Sequence, residues 1–117
     1  MNAGRIWIVD AFGCDPERLR SREHVAQVFD AAVRELGLHA VGPAFWHVFP
    51  SPGGVTGLLP LSESHLACHT FPETACATFD LHCCRPRDDW PWDERLARFL
   101  GAKRVVVRRL DRGDGTS

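Results

Sequence analysis

Residues 4–37, GRIWIVDAFGCDPERLRSREHVAQVFDAAVRELG, decide the fold because they place a strand directly before an amphipathic helix. Residues 4–11 are mostly apolar, which is typical of a buried strand. Asp15 and Pro16 predict a helix cap and a first turn, and Gly37 predicts the end of the helix. Apolar residues follow at the spacing of one helix face: Val25, Val28, Phe29, Ala32, Val33 and Leu36.

The rest of the chain continues the mixture of strands and helices. Strands are predicted over 38–49 (interrupted at Gly42-Pro43), 55–61, 74–84 and 104–110, a second helix over 92–100, and a frayed tail over 111–117. This order predicts an α+β fold, a two-layer α/β sandwich with a mostly antiparallel sheet and two helices on one face. The other face or an edge needs cover, so a homodimer is expected.

The length of 117 residues predicts a single domain that spans residues 1–117. The net charge of −1 gives no reason to expect a nucleic-acid or membrane-surface partner. No signal pattern is present, and no apolar run approaches the roughly 18 residues that span a bilayer, so we expect a cytoplasmic protein. The five cysteines are an odd number, typical of a reduced protein. No metal is expected, because no C-x-x-C pair occurs and Cys83 and Cys84 would point to opposite faces of a strand.

Residues 62–73, SESHLACHTFPE, crowd reactive side chains into a segment that otherwise looks like core. They include two serines, two histidines, a cysteine and two glutamates. Taken singly, Ser64 would be an ordinary strand or turn serine and His69 a hydrogen-bonded structural histidine. Cys84 would be a small buried hydrophobe.

Three motifs together favour a functional interpretation: GVTG at 54–57, ESHLACHTFPE at 63–73 and DLHCC at 80–84. With GCDP at 13–16 and HVF at 47–49, they resemble the bacterial and archaeal pyruvoyl-dependent S-adenosylmethionine decarboxylase proenzymes. The resemblance covers most of residues 4–84, and the string E-S-H…H-T-x-P-E is its specific part.

The resemblance implies that the chain cuts itself at the Glu63–Ser64 bond, into residues 1–63 and 64–117. The Ser64 hydroxyl would attack the Glu63 carbonyl and convert the peptide bond to an ester. Elimination and hydrolysis would then leave a pyruvoyl group as the cofactor at the new N-terminus.

The resemblance also implies roles for other side chains. Thr56 and His69 would assist self-cleavage. In the mature enzyme the pyruvoyl ketone would form a Schiff base with the substrate amine, and Cys84 would be the acid that reprotonates the α-carbon. Independently, the single lysine, Lys103, lies outside the catalytic motifs, which favours a self-made carbonyl over pyridoxal chemistry.

The implied substrate is S-adenosylmethionine, whose decarboxylated product serves spermidine synthesis. By resemblance, Phe49 would stack on the adenine and Glu73 would accept hydrogen bonds from the ligand. Trp7 and Trp46 are candidates for contact with the sulfonium by residue type alone.

Two alternatives stay open. The same pyruvoyl scaffold could decarboxylate a basic amino acid such as ornithine or arginine, because the loop FPSPGG at 49–54 and Arg85 depart from the family pattern near the pocket. The chain could also be a non-enzymatic homologue that never cleaves.

Overall fold

The computed structural model describes residues 4–85 and 87–113. Within these ranges the elements are β1 (Arg5–Phe12), α1 (Pro16–Leu19), α2 (Arg22–Leu36), β2 (Phe45–Val48), β3 (Val55–Leu61), β4 (Ser64–Phe71), a 3-10 turn (Pro72–Thr74), β5 (Cys76–Cys83), α3 (Trp92–Leu100) and β6 (Arg104–Asp111). The strands form one antiparallel sheet in the order β2-β3-β4-β5-β1-β6. The predicted two-layer α+β class is confirmed.

Burial alternates along the central strands, which separates the sheet into two faces. Residues such as Val9, Leu66 and Phe79 are fully buried in the core shared with the helices. The positions between them form the second face, which we call the open face. Its members include Phe45, Thr56, Leu58, His65, His69, Phe71, His82 and Leu110.

The helical segment after Pro16 is divided into two helices, whereas the sequence predicted one. The Asp15 side chain caps the one-turn α1 by accepting from the backbone of Glu17. Ser21 then caps α2, and its hydroxyl accepts from the His24 amide at 3.2 Å. A serine at an N-cap satisfies an otherwise unpaired amide, so a new helix begins here.

The GVTG glycines are required for close packing of β3. A Cβ on Gly54 would overlap the Thr70 carbonyl oxygen, and one on Gly57 would overlap the Trp46 ring. Thr70 itself is buried, and its hydroxyl accepts from the Val55 amide at 2.8 Å and donates to the Leu19 carbonyl at 2.7 Å. Thr70 therefore ties β4 to both β3 and the helical layer.

Some strand bounds differ from the predicted ones. The stretch 64–71 forms a complete strand that the sequence did not predict as one, and β5 begins at Cys76 because Ala75 adopts a left-handed backbone with φ of 56°. β6 reaches Asp111, so the predicted tail begins later, and its residues 114–117 lie outside the described residues. Within the described ranges, no helix is long and apolar enough to cross a membrane.

Candidate active site

The Glu63–Ser64 bond lies in a tight hairpin between β3 and β4. Leu61 and Ser64 are paired, so the turn consists of Ser62 and Glu63, both exposed. On its far side β3 pairs with β2, and β4 pairs with β5. Breaking the bond would therefore leave both strands held in the sheet by their other neighbours.

The carbonyl group of Glu63 is held by the end of β5. The backbone amide of Cys84 donates a hydrogen bond to the Glu63 carbonyl oxygen at 3.0 Å. The Glu63 carboxylate in turn accepts a hydrogen bond from the Arg85 guanidinium at 2.8 Å. Both contacts fix the residue whose carbonyl a Ser64 nucleophile would attack.

The two adjacent cysteines face opposite ways, as the sequence predicted. Cys84 is exposed beside the hairpin, whereas Cys83 is 2% exposed. Cys83 is paired with Ser64 across β4 and β5, so both side chains lie on the helix side of the sheet. Burial raises the pKa of the Cys83 thiol, while the nearby Arg87 and a hydrogen bond from Ser64 act in the opposite direction.

A histidine pair flanks the hairpin on the open face, and no role was predicted for it. His65 and His82 are cross-strand partners with ring centroids 5.2 Å apart, and the Arg112 guanidinium donates to His82 Nε2 at 3.2 Å. Partial burial, followed by the charges of Arg112 and His65, lowers the pKa of His82. His82 is therefore neutral at pH 7, and it can accept the Arg112 hydrogen bond.

Thr56 and His69 form a second cluster on the open face. They are paired across β3 and β4, with Thr56 Oγ1 and His69 Nδ1 3.0 Å apart. Phe49 follows β2 nearby, 49% exposed, with its ring in edge contact with His47 at 4.4 Å. Glu73 is exposed in the 3-10 turn that follows β4.

The predicted site residues fall into two groups, one around Ser64 and one around His69, at opposite ends of β4. Ser64 and His69 are five residues apart on one strand, and a rise of 3.2–3.4 Å per residue separates their backbones by about 16 Å. We call Glu63, Ser64 and Cys84 the cleavage end, and Thr56, His69, Phe49 and Glu73 the histidine end. One chain therefore joins Glu63, Ser64 and Cys84 at one end and pairs Thr56 with His69 at the other, but it does not bring the two ends into contact.

The tryptophans suggested for sulfonium contact lie elsewhere. Trp7 is 1% exposed, and its indole nitrogen donates to Asp89 at 3.0 Å. Trp46 packs on Phe29 with ring centroids 5.0 Å apart. Both lie on the helix side of the sheet; Trp7 is fully buried, so its suggested contact with a ligand is wrong, whereas Trp46 is only partly buried. In the ranges 4–85 and 87–113, no group of three or more potential ligands is arranged to hold a metal ion.

The fold first defines a structural class. The crystal structure of the adenosylmethionine decarboxylase from Aquifex aeolicus matches it with a TM-score of 0.79, covering 99% of this chain and 97% of that chain. At 24% identity, this match shows that the two chains share a fold.

Sequence comparisons identify the family. The S-adenosylmethionine decarboxylase family model matches residues 5–113. The S-adenosylmethionine decarboxylase proenzyme of Shouchella clausii is 40% identical over 96% of this chain and 86% of its own length. The proenzyme of Carboxydothermus hydrogenoformans is 39% identical, over 97% and 89% respectively. This chain belongs to the S-adenosylmethionine decarboxylase family, which confirms the predicted family.

Proposed function

We propose that this chain is a pyruvoyl-dependent S-adenosylmethionine decarboxylase that matures by cutting itself between Glu63 and Ser64. The geometry of that bond carries the proposal: the Cys84 amide donates to the Glu63 carbonyl oxygen at 3.0 Å, and Ser64, which would supply the nucleophilic hydroxyl, follows directly in the chain. Family membership supports it, since the relatives are described as proenzymes.

Maturation begins as a shift of the acyl group from nitrogen to oxygen. Ser64 Oγ bonds to the Glu63 carbonyl carbon, the C–N bond breaks, and the hydroxyl proton ends on the released amine. The Cys84 N–H lies where negative charge develops on the carbonyl oxygen, as an oxyanion donor must. Removal of the Ser64 Cα proton then expels the Glu63 carboxylate, and water releases the nitrogen as ammonia, which leaves a ketone at residue 64.

The position of residue 64 fits a pyruvoyl group. Such a group supplies an electrophilic carbonyl that takes up the substrate amine and accepts the electrons released with CO₂. As the first residue of β4, it would stay anchored by pairing with β5 after the cut. The exposed Cys84 thiol stands beside it and can deliver a proton to the product.

A second protomer would complete the site, because Thr56 and His69 of the same chain are too far from Ser64. The open face offers the surface for such a partner. It exposes four large apolar side chains, which favours burial against another protein: Phe45 (63%), Leu58 (45%), Phe71 (41%) and Leu110 (55%).

Two-fold symmetry can bring the two ends together. An axis running across the strands between two stacked open faces, level with Ala67, reverses the strand direction of the second copy. It then places the cleavage end of each protomer against the histidine end of the other. His69, positioned by Thr56, would approach the other protomer's Glu63–Ser64 backbone from the open face and assist proton transfer there, while the Ser64 side chain lies on the helix side.

Co-expression of two inactive variants tests this arrangement. A His69→Ala chain and a Ser64→Ala chain, carrying different tags, are produced alone and together. We expect neither to cleave alone, and the His69→Ala chain to cleave only in the mixture, because its Ser64 then meets an intact His69. No cleavage in a mixture that forms the heterodimer would overturn the shared site. Full cleavage of His69→Ala alone would remove the residue from the mechanism.

Phe49 and Glu73 lie at the histidine end, so the dimer would bring them to the partner's residue 64. We propose that Phe49 stacks on the adenine and that Glu73 accepts hydrogen bonds from the ligand. Release of labelled CO₂ from carboxyl-labelled S-adenosylmethionine, with ornithine and arginine as comparisons, tests the substrate. Release from a basic amino acid alone would contradict our assignment and favour that second activity.

The product would enter spermidine synthesis as an aminopropyl donor, and we place the enzyme in the cytoplasm. All five cysteines are free in the structure, as expected in a reducing compartment.

A further inference from the structure

The dipeptide Cys83-Cys84 contacts both groups that react during self-cleavage. Its second residue holds the electrophile, because the Cys84 amide donates to the Glu63 carbonyl oxygen. Its first residue faces the nucleophile, because Cys83 is the direct cross-strand partner of Ser64 on the helix side of the sheet. The resemblance to the family assigns a role to Cys84 alone and leaves Cys83 without one.

The surroundings of Cys83 make it a rigid partner. It is 2% exposed and is also paired with Arg5 on β1. Gly4 packs so closely that a Cβ there would overlap the Cys83 carbonyl oxygen. A side chain fixed in this way can hold one rotamer of the serine that faces it.

The Cys83 thiol is also in the right protonation state. Burial raises its pKa, so the group is a neutral thiol at pH 7. Its sulfur can accept the Ser64 O–H but does not remove the proton. Cys83 therefore orients the nucleophile and leaves proton transfer to another group.

We propose that Cys83 is a positioning residue for self-cleavage: its sulfur accepts the hydrogen bond of the Ser64 hydroxyl and holds Oγ beside the Glu63 carbonyl. This inference rests on the proposed function. It differs from the role of Cys84, which acts on the carbonyl side and, after maturation, on the substrate.

The test is the rate of cleavage after synthesis. The chain is made in a cell-free system, translation is stopped, and aliquots are quenched in denaturant and measured by mass spectrometry. Cys83→Val fills the site with a slightly larger apolar side chain and removes the acceptor, Cys83→Ala removes both the volume and the acceptor, and Cys83→Ser keeps a hydrogen-bond acceptor. Cys68→Ala is the matched control. Cys68 lies on β4 and is as buried as Cys83 on the same face of the sheet, but it is paired with Gly57 and Phe79 and not with Ser64.

We expect Cys83→Val and Cys83→Ala to slow cleavage by about 3- to 10-fold, the effect of losing one hydrogen bond. Cys83→Ser should cleave within about 3-fold of wild type on the same basis. In the chain that keeps Ser64, Cys68→Ala should cleave at the wild-type rate. Urea midpoints, measured separately in a Ser64→Ala background, check that Cys68→Ala is at least as destabilised as Cys83→Ala.

Three outcomes would count against the proposal. Equal rates for wild type and Cys83→Val would overturn it while leaving the proposed function intact. Slow cleavage by Cys83→Ser as well as Cys83→Val would overturn it in favour of a packing role. A wild-type chain that never cleaves would overturn the proposed function and this inference together.

Discussion

Replacing Thr70 by valine should lower the stability of this fold, although the two side chains have nearly the same volume. The side chain is 5% exposed, and its hydroxyl makes two hydrogen bonds to backbone groups, at 2.8 Å to Val55 and 2.7 Å to Leu19. Valine has nearly the same shape but leaves one donor and one acceptor buried without a partner. Each such group costs about 1–3 kcal/mol, so we expect a loss of about 2–6 kcal/mol in the free energy of unfolding.

Urea unfolding measures this loss. The comparison is made in a Ser64→Ala background, where the chain stays in one piece, and at one protein concentration, because a dimer's stability depends on concentration. With a slope of about 2 kcal/mol/M, a loss of 2 kcal/mol lowers the midpoint by about 1 M. A midpoint within 0.2 M of the parent, roughly 0.4 kcal/mol, would refute the reasoning.

Thr70→Ser is the matched variant. It keeps the hydroxyl and both hydrogen bonds and removes only a methyl group, at a cost of about 1 kcal/mol. The order of stability should be parent, Thr70→Ser, Thr70→Val. The reverse order for the two variants would show that packing, and not hydrogen bonding, explains the threonine.

Three further predictions concern stability, pH and reactivity. Ala75→Gly should stabilise the chain by about 0.5–1 kcal/mol, because φ of 56° strains a residue with a Cβ; a lower urea midpoint would contradict this. The hydrogen bond from Trp90 lowers the pKa of Glu35 below its ordinary 4.5, so the ionised carboxylate stabilises the fold above that pH, and this stabilisation is lost as the pH falls through the lowered pKa. Glu35→Gln should lower the urea midpoint at pH 7, with a gap to the parent that narrows as the pH falls below 4.5. A gap that stays constant with pH would be inconsistent with that linkage. Iodoacetamide at pH 8 should label the exposed Cys84 well before Cys68, whose pKa burial raises to about 12, and peptide mapping showing the opposite order would count against the structure.

The fold was largely predictable because its strongest signals are local. α3 begins at Trp92 and ends at Leu100 as predicted, since apolar spacing and a glycine in the left-handed region at 101 fix both the face and the end. The break before α2 is not evident from the sequence, because Asp15 and Pro16 already mark a helix start and Ser21 begins a second helix shortly after it.

The site was predictable as a set of residues but not as an arrangement. Ser64 and His69 stand close together in the sequence, and only their common strand reveals a separation of about 16 Å. The strand was missed because Thr70 and Cys68 occupy buried positions that apolar residues usually fill. Cys83 could not be connected with Ser64 until the register between β4 and β5 was known.

Mass spectrometry of the purified, denatured chain is the most direct measurement of the central claim. We expect two fragments, residues 1–63 and 64–117, the second lighter by one ammonia than a chain that begins with serine, and a single intact chain from Ser64→Ala. A wild-type chain that keeps the amide bond before Ser64 and still decarboxylates its substrate would contradict the account.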